Sequence, residues 1–259
     1  MKIIKFILIV PCILLIFTGC KKDNYASPDS SIHGALTDGE IGGALQLSQA
    51  GSNSTVRMTV NDPAKYPSPG NFDLTVKADG TFSNSLVFAE TYKVYPLALS
   101  GPWQLMVGDT STVTLSSGQD VAANFKVIPY FRITAPTVTD STVTFTVTKA
   151  TATPATNNLS TSNNCLILIN DYNIVNESVS NNTAGKYYQN QFQFTVTNSI
   201  LGAPFTPTAG TDATTGKPYS FKFALAHLAK GTYYFRVAIL GSGSGGKYNY
   251  SPVVQATIH

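Results

Sequence analysis

The chain has 259 residues, enough for one large domain or two of ordinary size, and 43% of them are hydrophobic, so real cores can form. Charged residues make up only 12%, about half the usual share, with Ser, Thr, Asn and Gly supplying the polarity. The net charge is +3, and without Lys2 and Lys5 of the N-terminal leader it is +1, so no strongly basic face exists and nucleic acid is excluded as an expected partner.

The leader comes first in chain order. "MKIIKFILIVPCILLIFTGC" pairs a basic start with an apolar run from Phe6 to Phe17. That run has export-signal length, well short of the roughly 20 residues a spanning helix needs. Pro11 in its middle disfavours a stable helix further. Phe17-Thr18-Gly19-Cys20 resembles the bacterial lipobox, in which the cysteine is diacylated and becomes the new N-terminus. Residues 1–19 are therefore read as a lipoprotein signal peptide, and Cys20 as the lipidation site that anchors the chain to the membrane. Multiple acyl chains make a stable anchor, each contributing about 0.8 kcal/mol per buried CH2. Lys21 replaces the aspartate of inner-membrane retention, and "KKDN" resembles the lysine-acid signal of Bacteroidetes lipoproteins exported to the cell surface. The expected location is the outer membrane, facing outward, with residues 20–30 as a flexible tether.

Beyond residue 30 the recurring signal is period two. "STVTFTVT" (141–148) puts Val143, Phe145 and Val147 on one face, and "QFQFTVT" (191–197) does so with Phe192, Phe194 and Val196. "YYFRVAI" (233–239) offers Tyr233, Phe235, Val237 and Ile239. Alternation of β-branched and aromatic residues between Gly-, Pro-, Asn- and Asp-rich turns makes the fold class all-β. "SFKFALAHLAK" fits either a short helix or a strand and loop. Seven short strand candidates precede residue 129: "HGALTD", "ALQLSQ", "STVRMTV", "FDLTVKADGTF", "YKVYPL", "STVTL" and "ANFKVI". Pro129 then reads as the hinge to a second half with longer strands. Two consecutive β-sandwiches are expected, over residues 31–128 and 129–259.

"SIHGALTDGEIGGALQL" followed by "DLTVKADGTFSNSLVFAETYKVYPLALSGPW" resembles the carboxypeptidase-regulatory-like, transthyretin-like module. Asp79-Gly80-Thr81-Phe82 matches its D-G-T-F turn, expected as a tight hairpin with the phenylalanine entering the core, and Tyr92-Lys93-Val94 matches its Y-x-V strand. With "GPW" and "FKVIPYFRI", the mature chain resembles a Bacteroidetes lipoprotein family of unknown function. The resemblance implies that this module precedes an immunoglobulin-like domain. It also implies a setting beside outer-membrane glycan importers of the starch-utilisation-system type. Leu228-Ala-Lys-Gly-Thr-Tyr-Tyr resembles the L-x-P-G-T-x-Y corner of fibronectin type III domains. Spacing would select Tyr234, but alternation selects Tyr233 as the inward residue, because a one-residue slip would turn Phe235 and Val237 to water.

Signals for chemistry are sparse. His33, His227 and His259 show no metal-ligand spacing, no C-x-x-C occurs, and neither G-x-S-x-G nor G-x-G-x-x-G follows a strand. Cys165 opens the apolar run "CLILIN" and reads as a small buried hydrophobe. "GSGSGG" (241–246) reads as a hairpin loop. No cofactor, metal or catalytic group is expected. Aromatics are the better lead, since sugar rings stack on Trp and Tyr while polar side chains bind their hydroxyls. Trp103, the single tryptophan, follows Gly101-Pro102 as an exposed loop site or as a plug at the core or seam. Tyr248 and Tyr250, and Tyr187 and Tyr188, are further candidate pairs, the alternative being ordinary packing. The expected role is a non-catalytic glycan-binding or accessory component of a polysaccharide-import system. Its alternative is an adaptor docking a neighbouring outer-membrane protein.

Overall fold

The computed structural model describes residues 26–49, 54–106, 108–150, 162–177, 193–195, 218–224, 228–241 and 245–259. Every regular element among them that spans more than one residue is a strand. The N-terminal nine are β1 (Ser30–Asp38), β2 (Thr55–Val60), β3 (Asn71–Thr75), β4 (Thr81–Val87), β5 (Thr91–Pro96), β6 (Trp103–Leu105), β7 (Ser111–Thr114), β8 (Asp120–Ala122) and β9 (Phe125–Pro129). They form two sheets. One runs β4-β1-β9-β6 with β8 also on β1, and the other runs β3-β2-β5-β7.

Alternation builds the first core. Ile32 and Leu36 of β1, Val56 and Met58 of β2, Tyr92 and Val94 of β5, and Phe125 and Val127 of β9 all bury between the sheets. Phe82 joins them, stacked on Phe125 at 6.3 Å between ring centroids. Asp79 accepts hydrogen bonds from the Thr81 amide (3.0 Å) and hydroxyl (2.7 Å), and Gly80 takes a φ of 83° that favours glycine. The turn is as tight as expected but is not a hairpin. β3 and β4 lie in opposite sheets, so it carries the chain across the sandwich. "ALQLSQ" also departs from expectation: apart from a bridge at Ala44 it is irregular, although Leu45 and Leu47 are buried.

The second unit holds β10 (Phe131–Ile133), β11 (Thr137–Val138), β12 (Thr142–Lys149), β13 (Ser162–Asn170), β14 (Gln193–Thr195), β15 (Pro218–Ala224), β16 (Gly231–Gly241), β17 (Tyr248–Tyr250) and β18 (Val254–Ile258). Its sheets are β10-β12-β11 with β15 on β12, and β14-β13-β16-β17 with β18 on β16. "SFKFA" is thus strand. Val143, Phe145 and Val147 face Ile167, Ile169, Tyr233, Phe235, Val237 and Ile239 in one core. Leu166, Leu168, Ala238 and Tyr250 bury on the opposite face of the β13–β16 sheet, beneath Val175. Burial on both faces explains why "CLILIN" is continuously apolar. Within "QFQFTVT", the three residues of β14 are strand as expected, while Phe192 and Val196 lie outside the described residues.

Tyr233 is the inward corner tyrosine, its hydroxyl donating to the Ala229 carbonyl at 3.1 Å. Pro129 is not a hinge. It is buried as the last residue of β9, opposite Trp103, where its missing N–H falls at a strand end. Ser30 belongs to β1 and is buried, so the first sandwich begins one residue earlier than expected. β1 runs from Ser30, at the outer end of the first sandwich, to Asp38, at the seam with the second.

Candidate functional site

The seam is built from polar side chains that each reach across it. Arg132 of β10 donates from Nε (2.5 Å) and Nη2 (2.8 Å) to Asp38, and from Nη2 to Glu40 (2.6 Å). Burial works against the Arg132 charge, but the two carboxylates hold its guanidinium above the ordinary arginine range. Asn249 of β17 accepts from the Phe131 amide (3.1 Å) and donates to the Pro102 carbonyl (2.9 Å). Gln49 donates to the Asn173 carbonyl (3.0 Å) and accepts from the Val175 amide (2.6 Å).

Arg236 is the deepest of these groups. It sits on the face of β16 opposite Tyr233 and Phe235, fully buried. Nη2 donates to the Leu47 carbonyl of the first domain at 2.8 Å, and Nε to the Ser251 carbonyl at 2.9 Å. Its guanidinium lies 4.4 Å from the Tyr250 ring centroid. Burial draws its pKa down to about 10, opposed by nearby Glu177, so it remains a cation at neutral pH. Burial, reinforced by Glu177, pushes the Tyr250 hydroxyl well above its ordinary value, and that hydroxyl donates to Glu177.

Between these contacts lies a cavity of about 240 Å3. Its lining brings together Trp103, Phe131 and Tyr250 with Asp38, Gln46 and Arg132. Gly101 positions the tryptophan: a Cβ there would collide with the six-membered edge of the indole. Among the described residues, the buried Nε1–H of Trp103 meets no acceptor. Ligand pockets run about 300–1,000 Å3 for drug-sized molecules, so this cavity suits one small ring with hydrogen-bonding edges.

The sequence candidates separate clearly against this geometry. Trp103 and Tyr250 come from different domains and line the same cavity. Neither is an exposed platform, at 2% and 4% exposure. Trp103 plugs the first core where it meets the seam. Tyr248 and Tyr250 do share a side of β17, with ring centroids 6.2 Å apart, but that side packs toward the Leu166–Leu168 surface rather than outward. Tyr187, Tyr188 and Cys20 lie outside the described residues, as does the side chain of Cys165. Sequence reading passed over Asp38, Arg132, Asn249 and Arg236. A signal did exist for the two arginines, since each interrupts an apolar strand run, "YFRI" and "YYFRVAIL". Among the described residues, no three His, Cys, Asp or Glu side chains gather as a metal site.

Residues 30–128 match the family model described as "Protein of unknown function (DUF3823) N-terminal domain". No curated protein matches the chain. Among solved structures, the chain is similar to a DUF3823 family protein from Parabacteroides merdae, at 20% identity and a TM-score of 0.61, covering 89% of this chain and 99% of that one. A "putative carbohydrate binding protein" from Bacteroides uniformis aligns at 20% identity and a TM-score of 0.59, over 89% of this chain and 99% of that one. A DUF3823 family protein from Bacteroides ovatus aligns at 16% identity and a TM-score of 0.60, over 89% and 100%. These likenesses extend across both domains and establish the fold.

Proposed function

We propose that this chain is a non-catalytic, lipid-anchored outer-membrane protein that binds a saccharide unit as an accessory to polysaccharide import. The observation that carries the binding reading is the seam cavity. There Trp103, Phe131 and Tyr250 line the same small cavity as Asp38, Gln46 and Arg132, the pairing of aromatic and polar residues that saccharide sites use. The description of the Bacteroides uniformis neighbour, "putative carbohydrate binding protein", agrees with this reading. The lipid anchor rests on the lipobox at Cys20.

Binding is testable with the protein's own probe, because Trp103 is its single tryptophan. Mono- and oligosaccharides from plant, host and microbial polysaccharides are titrated into residues 24–259 while Trp103 emission is followed. A saturable change is expected, with at least about tenfold weaker binding in Gln46→Ala, the loss of one or two polar contacts. Silence across the whole panel, in emission and in calorimetry alike, overturns the saccharide reading and favours the adaptor role. Cys20→Ala is expected to lose acyl labelling and leave the outer-membrane fraction. Continued labelling of that variant would refute the anchor.

A further inference from the structure

Several large apolar side chains remain exposed, and they fall at two places. Ile41, Leu99, Leu105, Tyr172 and Ile174 lie around the seam, whereas Phe72, Leu86 and Phe88 lie at the opposite end of the first sandwich. These three are 48%, 69% and 47% exposed. Phe72 continues the inward register of Leu74 and Val76 but hangs past the core, edge-on to Tyr92 at 6.4 Å. The Tyr92 hydroxyl donates to the Phe88 carbonyl at 3.0 Å, which ties the two phenylalanine segments to one ring. Leu86 and Phe88 flank Val87, and the Cα partner of Val87 across the sheet is Ser30.

Ser30 is where the chain enters the fold. Its hydroxyl donates to the Ser116 carbonyl at 2.7 Å, and Asp29 accepts from Ser117, so the entry point is fixed beside the apolar cluster. Cys20 precedes Ser30 by ten residues, which can span at most about 35 Å. We propose that Phe72, Leu86 and Phe88 form a membrane-facing surface that rests in the interfacial layer of the bilayer to which Cys20 is attached. This inference rests on the lipid-anchor reading of Cys20 and is independent of the saccharide reading. The anchor supplies the local concentration, so the patch needs no strong affinity of its own.

Charge identifies the kind of contact. Lys65 at this end is paired with Glu90, and Asp29, Asp62 and Asp120 leave no basic excess. Attraction to anionic headgroups therefore contributes little, and docking is apolar and insensitive to salt. β1 then sets the height of the rest. Its nine residues, at about 3.3 Å each, place the Asp38–Arg132 seam roughly 30 Å beyond the membrane-facing end. The turn before Thr142 lies farther out still, because Lys149 at the other end of β12 pairs with Phe131 at the seam.

The test uses the lipidated protein in vesicles of phosphatidylethanolamine and phosphatidylglycerol containing nitroxide-labelled lipid. Bimane is placed at Leu86→Cys or at Ser141→Cys, each with Cys165→Ser. Strong quenching and a blue shift are expected at position 86 and neither at position 141, unchanged when salt is raised. Hydrogen exchange on the unsubstituted lipidated chain provides a second measurement, with slowed exchange expected at 66–72 and 86–90 on vesicles. A protein that floats with the vesicles yet shows equal, weak quenching at both positions and no slowed exchange overturns the docking surface while leaving the anchor intact. Quenching that salt abolishes overturns its apolar character. A processed protein that fails to float overturns the anchor and the docking surface together.

Discussion

Arg132 and Asp38, 94 residues apart, meet across the seam through two hydrogen bonds of 2.5 and 2.8 Å. Asp38 also accepts from the backbone amides of Glu40 (2.9 Å) and Ile41 (3.3 Å), so its carboxylate fixes both the arginine and its own turn. Removing one partner of a fully buried pair costs about 3–5 kcal/mol. Arg132 keeps Glu40, so Asp38→Asn is expected to cost about 2–3 kcal/mol. Urea unfolding measures the loss, and small-angle scattering should show a broader range of interdomain arrangements.

Gly101→Ala is expected to move Trp103. The new methyl would overlap the six-membered ring, and overpacking of this kind costs about 1–3 kcal/mol. Because Trp103 is the sole tryptophan, the displacement should appear directly as a red-shifted emission and greater acrylamide quenching. An unchanged spectrum at unchanged stability would show that the ring is not seated against Gly101.

Tyr233→Phe removes the hydroxyl that donates to Ala229 and is expected to destabilise by about 1 kcal/mol. Tyr234→Phe, on the opposite face, should cost less than about 0.5 kcal/mol. Thermal or urea denaturation of the two variants distinguishes them, and the reverse ranking would mean the corner is misassigned.

Hydrogen bonds from the Thr81 side chain and amide hold the Asp79 carboxyl below its usual 3.8, with burial pushing weakly the other way. A depressed folded pKa contributes stability above the unfolded value, and that stability is lost as pH falls through the folded one. Thr81→Val removes the hydroxyl donor. The variant is expected to be less stable than the unsubstituted chain near neutrality, where the bond to the carboxylate contributes in full, with the difference shrinking as pH falls through the folded Asp79 pKa. Carboxyl titration by NMR should place the Asp79 pKa closer to 3.8 in the variant.

The all-β class and the inward faces of the second core could be read from the sequence, because period two is a local property of a strand packed on one side. Val143, Phe145, Val147, Tyr233, Phe235, Val237 and Ile239 show it directly. The Asp79–Gly80 turn was legible for the same reason, since Asp and Gly impose a tight turn within four residues. Which sheets that turn connects was not legible, because pairing is decided by partners far along the chain. The same limit applied to the cavity. Trp103 and Tyr250 stood out as aromatics, but whether they faced water depended on Asn249 reaching Pro102, 147 residues away. Arg132 acquired its two carboxylates, and Arg236 its bond to the Leu47 carbonyl, only when the two domains met, and burial at that seam turned two ordinary cations into its fasteners.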